Sequence, residues 1–162
     1  MATRRGFLSL MAATLAGVVA GATSARAETR TVAQATAPAV PEHLGLKGYD
    51  PVAYFTLSRP TLGVRQYEYV FDGVRYRFAN AQHLELFKAN PEKYAPQFGG
   101  SCTMNMAAGV RRESDPTVWV ILNGNLYVFA GPGGAERFRQ NPDIAATRAA
   151  ANWKTLKNTP SQ

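Results

Sequence analysis

One stretch of 22 residues occurs twice. Residues 70–91 read "VFDGVRYRFANAQHLELFKANP" and residues 121–142 read "ILNGNLYVFAGPGGAERFRQNP", aligning without gaps at a shift of 51. Gly73, Tyr76, Phe78, Ala79, Glu85, Phe87, Asn90 and Pro91 match Gly124, Tyr127, Phe129, Ala130, Glu136, Phe138, Asn141 and Pro142. Each copy sets β-prone residues around an Asp-Gly or Asn-Gly pair, the dipeptides favoured in two-residue hairpin turns because they tolerate positive φ. A helical pattern follows and runs to Asn-Pro, where proline discourages further helix. The unit predicted is strand, tight turn, strand, helix. One such unit buries too little to fold alone, whereas two can share a core. The expected fold class is therefore α+β: two repeated β-hairpin–helix units packed as one small domain, plus a C-terminal helix over "IAATRAAANWKTL" that carries Trp153. Phe87 and Phe138 are expected to pack on the hairpins bearing Tyr76, Phe78, Tyr127 and Phe129.

The sequence before the repeat divides in two. "TRRGFLSL" near the start puts paired arginines ahead of an apolar, Ala- and Gly-rich run that ends in "ARA" at Ala27. A basic start, an apolar middle and small residues at the exit are the parts of a secretory signal, and the twin arginine resembles a Tat export signal. The expectation is residues 1–27 as a Tat-type signal peptide cleaved after Ala27, a periplasmic mature protein, and no membrane association after cleavage. Residues 28–42, "ETRTVAQATAPAVPE", lack periodicity and read as a flexible linker. Folded sequence is expected over 43–157, with 158–162 as a tail. At its start Gly48 and Pro51 bracket a turn, and Val52, Tyr54 and Phe55 read as a short strand or irregular apolar segment.

Charge bounds the partners. The chain carries a net charge of +7, but losing Arg4, Arg5 and Arg26 leaves 15 basic against 11 acidic residues, scattered along the chain. No basic patch interleaves with aromatics as a nucleic-acid footprint requires. Cys102 is the only cysteine, so no internal disulfide forms and an ordinary core must hold the fold.

"LKGYDPVAYF", "YRFANAQHLELFKANPEKYAPQFGG" and "NGNLYVF" together resemble the YHS-domain family, in particular the exported branch of YHS domain-containing (seleno)proteins, over about residues 44–157. Two implications follow. Metal-handling YHS modules place cysteines where this chain has Ala53, Ala79 and His83, so of that set only His83 keeps ligand chemistry. Exported members place cysteine or selenocysteine directly after "GG", here Cys102. Selenium at such a position implies that nucleophilicity, redox potential or soft-metal affinity matters there.

The residues around the thiol permit several accounts. In "GGSCTMNMAAG", Ser101 is a suitable N-cap and "CTMNMAA" can form two helical turns before Gly109 ends them. Cys102 would then stand in the first turn of a helix, where exposed N–H groups and the helix dipole favour a thiolate. Met106, four residues on, shares its face, and a thiolate–thioether pair suits Cu(I). The competing account is a small buried hydrophobe among core methionines. His83 reads as an exposed surface histidine or as a further ligand beside Cys102; Asp50, in "GYDP", reads as a turn cap. Three functions stay open. One is a periplasmic soft-metal module binding copper through Cys102, His83 and Met106. The second is a thiol redox protein acting through Cys102 with an external resolving thiol as partner. The third is a non-catalytic interaction domain with an inert cysteine. No complete catalytic constellation is visible in the sequence.

Overall fold

The computed structural model describes residues 43–162. The expected signal peptide (1–27) and linker (28–42) lie outside the described residues. The fold is α+β, with two small sheets and six α-helices among the described residues. β1 (His43–Leu44) leads into a tight turn, Gly45–Gly48, and a single helical turn, α1 (Ala53–Thr56). The first hairpin follows as β2 (Val64–Phe71) and β3 (Val74–Phe78), then α2 (Ala81–Ala89) and α3 (Pro91–Tyr94). A second tight turn, Gln97–Gly100, opens onto α4 (Thr103–Ala107). The second hairpin is β4 (Asp115–Leu122) and β5 (Asn125–Phe129), followed by α5 (Pro132–Gln140) and α6 (Pro142–Leu156). No helix among the described residues is long and apolar enough to cross a membrane.

The local chemistry accounts for these elements. Both hairpins close through residues in the left-handed region, Asp72 and Gly73 (φ 47° and 73°) and Asn123 and Gly124 (φ 51° and 76°), a pair of positive φ values that Asp, Asn and Gly tolerate best. Both break register at the same place: between the Val64/Phe78 and Glu68/Arg77 pairs in one, and between Asp115/Phe129 and Trp119/Val128 in the other. Asn90 ends α2 and, by accepting the Lys93 N–H, caps α3. Pro91 and Pro142 occupy first-turn positions of α3 and α6, where a missing N–H costs nothing.

One element differs from expectation. Residues 53–56 form a helical turn, α1, because the Asp50 carboxylate takes the Val52 and Ala53 N–H groups at 2.8 and 3.3 Å and turns the chain as a cap does. The expected strand or irregular segment has no sheet partner to pair with there.

Each hairpin–helix segment keeps its own aromatic core. Phe87 packs on Tyr76 and Phe78 at centroid distances of 5.3 and 5.0 Å, and Phe138 packs on Tyr127 and Phe129 at 4.7 and 5.3 Å, as the sequence predicts. The apolar surface shared between the halves is a smaller third cluster, Leu46 and Tyr54 against Leu126 and Val128. Tyr54 seals it by stacking edge-on against Trp119 and donating its hydroxyl to the Pro116 carbonyl at 2.8 Å. Helix α6 lays Ala145 and Ala149 on the second cluster, and Asn152 donates to the Met106 and Ala107 carbonyls at the end of α4.

Burial raises the pKa of Tyr54 and Tyr76 well above the ordinary 10.0, and that of Tyr127 to a lesser degree. An unfolded chain releases these phenolic protons near pH 10 while the folded chain holds them, so the unfolded state binds fewer protons there and stability falls as pH rises above 10. Absorbance at 295 nm is expected to count fewer phenolates than the chain's seven tyrosines at pH 11 while the far-ultraviolet dichroism stays native, and the urea midpoint is expected to drop between pH 9 and pH 11.

Candidate functional site

Asp50 is fully buried. Its Oδ1 accepts the Val52 and Ala53 N–H groups; its Oδ2 accepts the Ala79 N–H at 2.9 Å and lies 2.5 Å from His83 Nδ1. The carboxylate thus ties the turn at 48–50 to α1, to the end of β3 and to the first turn of α2. His83 is 6% exposed, correcting the expectation of a surface histidine; its backbone N–H is held by the Asn80 side chain that caps α2. Its Nε2 lies 3.3 Å from Thr56 Oγ1, whose hydroxyl donates to the Val52 carbonyl at 3.1 Å. The single Thr56 hydroxyl proton thus has two partners within reach, the Val52 carbonyl and the His83 ring nitrogen.

Cys102 has a local setting that can be compared with that of Asp50. It follows the turn Gln97–Gly100 by two residues, as Asp50 follows Gly45–Gly48. Both turns contain three successive residues with positive φ: Leu46, Lys47 and Gly48 in one, Phe98, Gly99 and Gly100 in the other. Cys102 Sγ accepts the Ala130 N–H at 3.2 Å, and Ala130 is the first residue after β5, as Ala79 is the first after β3. Four residues further on, Tyr54 and Met106 are both fully buried.

The cap differs from the one expected at the thiol. Cys102, not Ser101, is the N-cap residue of α4, with extended backbone and no side-chain cap bond, and α4 spans five residues. Ser101 is buried, and its hydroxyl accepts from Arg111 Nε at 3.4 Å. Cys102 itself is 2% exposed, in the apolar cluster of Phe98, Met106, Phe129 and Phe138.

The three candidate ligands therefore fall in two places. Cys102 and Met106 share one cluster, and the Met106 N–H bonds the Cys102 carbonyl. The His83 imidazole is engaged with Asp50 and Thr56 instead. Among the described residues no group of three or more His, Cys, Asp and Glu side chains is placed to hold a metal ion.

A cleft of about 850 Å³ opens elsewhere, between the two left-handed turns. Leu46, Lys47, Gly99 and Gly100 line it from the turns, Val74 from β3, Trp153 from α6, and Arg111 and Lys157 from the segments that follow α4 and α6. The sequence gives no local signal for it, because its walls come from five separated segments. The Asp50–His83 pair was equally hidden, its members standing 33 residues apart; the one hint is that the repeat puts Gly134 opposite His83, so the fold does not require an imidazole. No family model, curated protein or solved structure matches the chain.

Asp50→Ala is expected to lower stability by about 3–5 kcal/mol, because it breaks a buried pair and strips buried N–H groups of their acceptor. Cys102→Ser, which keeps an acceptor near the Ala130 N–H, is expected to cost roughly 1 kcal/mol. Urea unfolding of the two variants checks the order.

Proposed function

We propose that the chain is an exported YHS-like domain that binds rather than catalyses, built from two copies of one turn–hairpin–helix unit, with Cys102 as an inert structural sulfur. One observation carries this reading: Cys102 Sγ takes the Ala130 N–H as Asp50 Oδ2 takes the Ala79 N–H, at matching distances from two turns of the same handedness. The thiol does in one half the anchoring that a carboxylate does in the other. Its burial to 2% exposure keeps oxidants and alkylating agents out, and reactive cysteines occupy accessible, electropositive surroundings. The equivalent register breaks of the two hairpins support the two-copy reading, which extends the repeated segment back to the left-handed turns. Binding then falls to the cleft between those turns, which is within the usual size range of small-molecule sites.

A second reading keeps copper. Cys102 and Met106 are buried in one cluster, and a thiolate with a thioether is a soft pair that Cu(I) accepts. The redox alternative needs an external thiol to reach a sulfur that is covered on all sides.

Native protein is expected to resist modification by 5,5′-dithiobis(2-nitrobenzoate) and to react at one thiol once unfolded in guanidinium. In a Cu(I) titration against bicinchoninate the chain is expected to withdraw no stoichiometric metal. A 1:1 uptake abolished by Cys102→Ala would replace the inert-sulfur reading with the copper one, and rapid native alkylation would favour the redox one.

A further inference from the structure

The cleft carries an unusual charge arrangement. Arg111 lines it, with its guanidinium 5.5 Å from the Trp153 ring centre. Its Nε donates to Ser101 Oγ, and its Nη1 donates to the carbonyls of Lys157 (2.9 Å) and Thr159. The Gln162 N–H in turn bonds the Arg111 carbonyl at 3.0 Å. Every hydrogen-bond partner of this guanidinium among the described residues is a neutral group. Its orientation is fixed, and among the described residues it has neither a carboxylate partner nor a partner for the two N–H groups of Nη2.

The other charges around the cleft leave that excess standing. Lys47 is neutralised by Glu113 at 3.3 Å. Among the described residues Lys157 lines the cleft without a carboxylate partner, and Asp72, on the hairpin turn, is the one lining acid outside the Lys47–Glu113 pair. Burial lowers the pKa of His43 below the ordinary 6.5 and so favours its neutral form. Between these groups Leu46, Val74 and the half-buried Trp153 give apolar walls. Gly99 brings the backbone against the Trp153 ring: a Cβ there would sit 3.1 Å from it, at a φ of +59°.

We propose that this cleft binds a small, flat organic anion, its aromatic body against Trp153 and Leu46 and its carboxylate or sulfonate-like group on Arg111 Nη2 and Lys157. The inference rests on the reading of the chain as a binding domain and names the ligand class. A planar cation held by dipoles is pre-organised for bidentate contact with an oxyanion. Aligning it in advance removes part of the ordering cost of binding. Apolar walls with a few converging polar groups are the usual composition of such sites.

The test uses the full chain and two dyes of similar shape: anionic 1-anilinonaphthalene-8-sulfonate and neutral N-phenyl-1-naphthylamine. Titration by fluorescence, with amide shifts followed in ¹⁵N spectra, is expected to show 1:1 binding of the anionic dye with shifts centred on Gly73, Gly99 and Gly100. The neutral dye is expected to bind at least tenfold more weakly. Lys157→Glu, at a side chain that holds no other group among the described residues, should weaken the anionic dye about tenfold and leave the neutral one unchanged; Asp72→Asn, which the left-handed turn tolerates, should tighten it. Equal affinity for both dyes with shifts in the cleft would overturn the anionic class while leaving a binding domain. Absence of either dye from the cleft would overturn the inference together with the reading beneath it.

Discussion

The fold depends on one buried carboxylate. Removing Asp50 from water costs several kcal/mol, as for any buried ion, and the cost is offset only because the groups around it converge as donors: Val52, Ala53 and Ala79 through N–H, and His83 through its ring. The donors belong to three pieces of the first half, the start of α1, the end of β3 and the first turn of α2, so satisfying the charge fixes the relative placement of turn, helix and hairpin. The left-handed turn at Leu46–Gly48 is held against this anchor, and the cleft wall it forms inherits that rigidity. Non-glycine residues in the left-handed region cost about 1–2 kcal/mol each, and Leu46 and Lys47 both adopt it; only a well-determined surrounding keeps them there.

On the proposed two-copy reading, the second half solves the same problem with a weaker acceptor. Sulfur accepts an N–H less strongly than a carboxylate does, but a neutral thiol carries no Born penalty when buried, and no imidazole is needed opposite it. Gly134 stands there with ordinary contact space to Phe129 and Met104, so the small residue and the sulfur suit an apolar setting just as histidine and aspartate suit a polar one. The consequence is a more hydrophobic half, with Met106, Phe129 and Phe138 closing around the cysteine.

The architecture was legible where the signal is local. Asp-Gly and Asn-Gly turns, Asn-Pro stops and evenly spaced aromatics marked both hairpins, both helices and the pairing of Phe87 and Phe138 with them. Asp50 read correctly as a turn cap, since that role needs only the next three residues. Its grip on His83 did not, because a contact across 33 residues leaves no periodic trace. The thiol's setting stayed open between burial and a helix start for a related reason: "SCT" is a fair capping sequence, whereas the cluster that buries Cys102 is built from β5, α5 and α6, which arrive from later in the chain. Arg111 carries no motif at all; its role follows from the chain after α6 returning to it.

That return has a practical side. His43, the first described residue, and Ser161, next to the last, both line the same cleft. Both ends of the described segment therefore lie at the mouth of the cleft. Fusion partners, tethers and surface-attachment tags joined at either end would crowd that mouth, whereas the exposed turn of the second hairpin, around Asn123 and Gly124, offers an attachment point that leaves it clear.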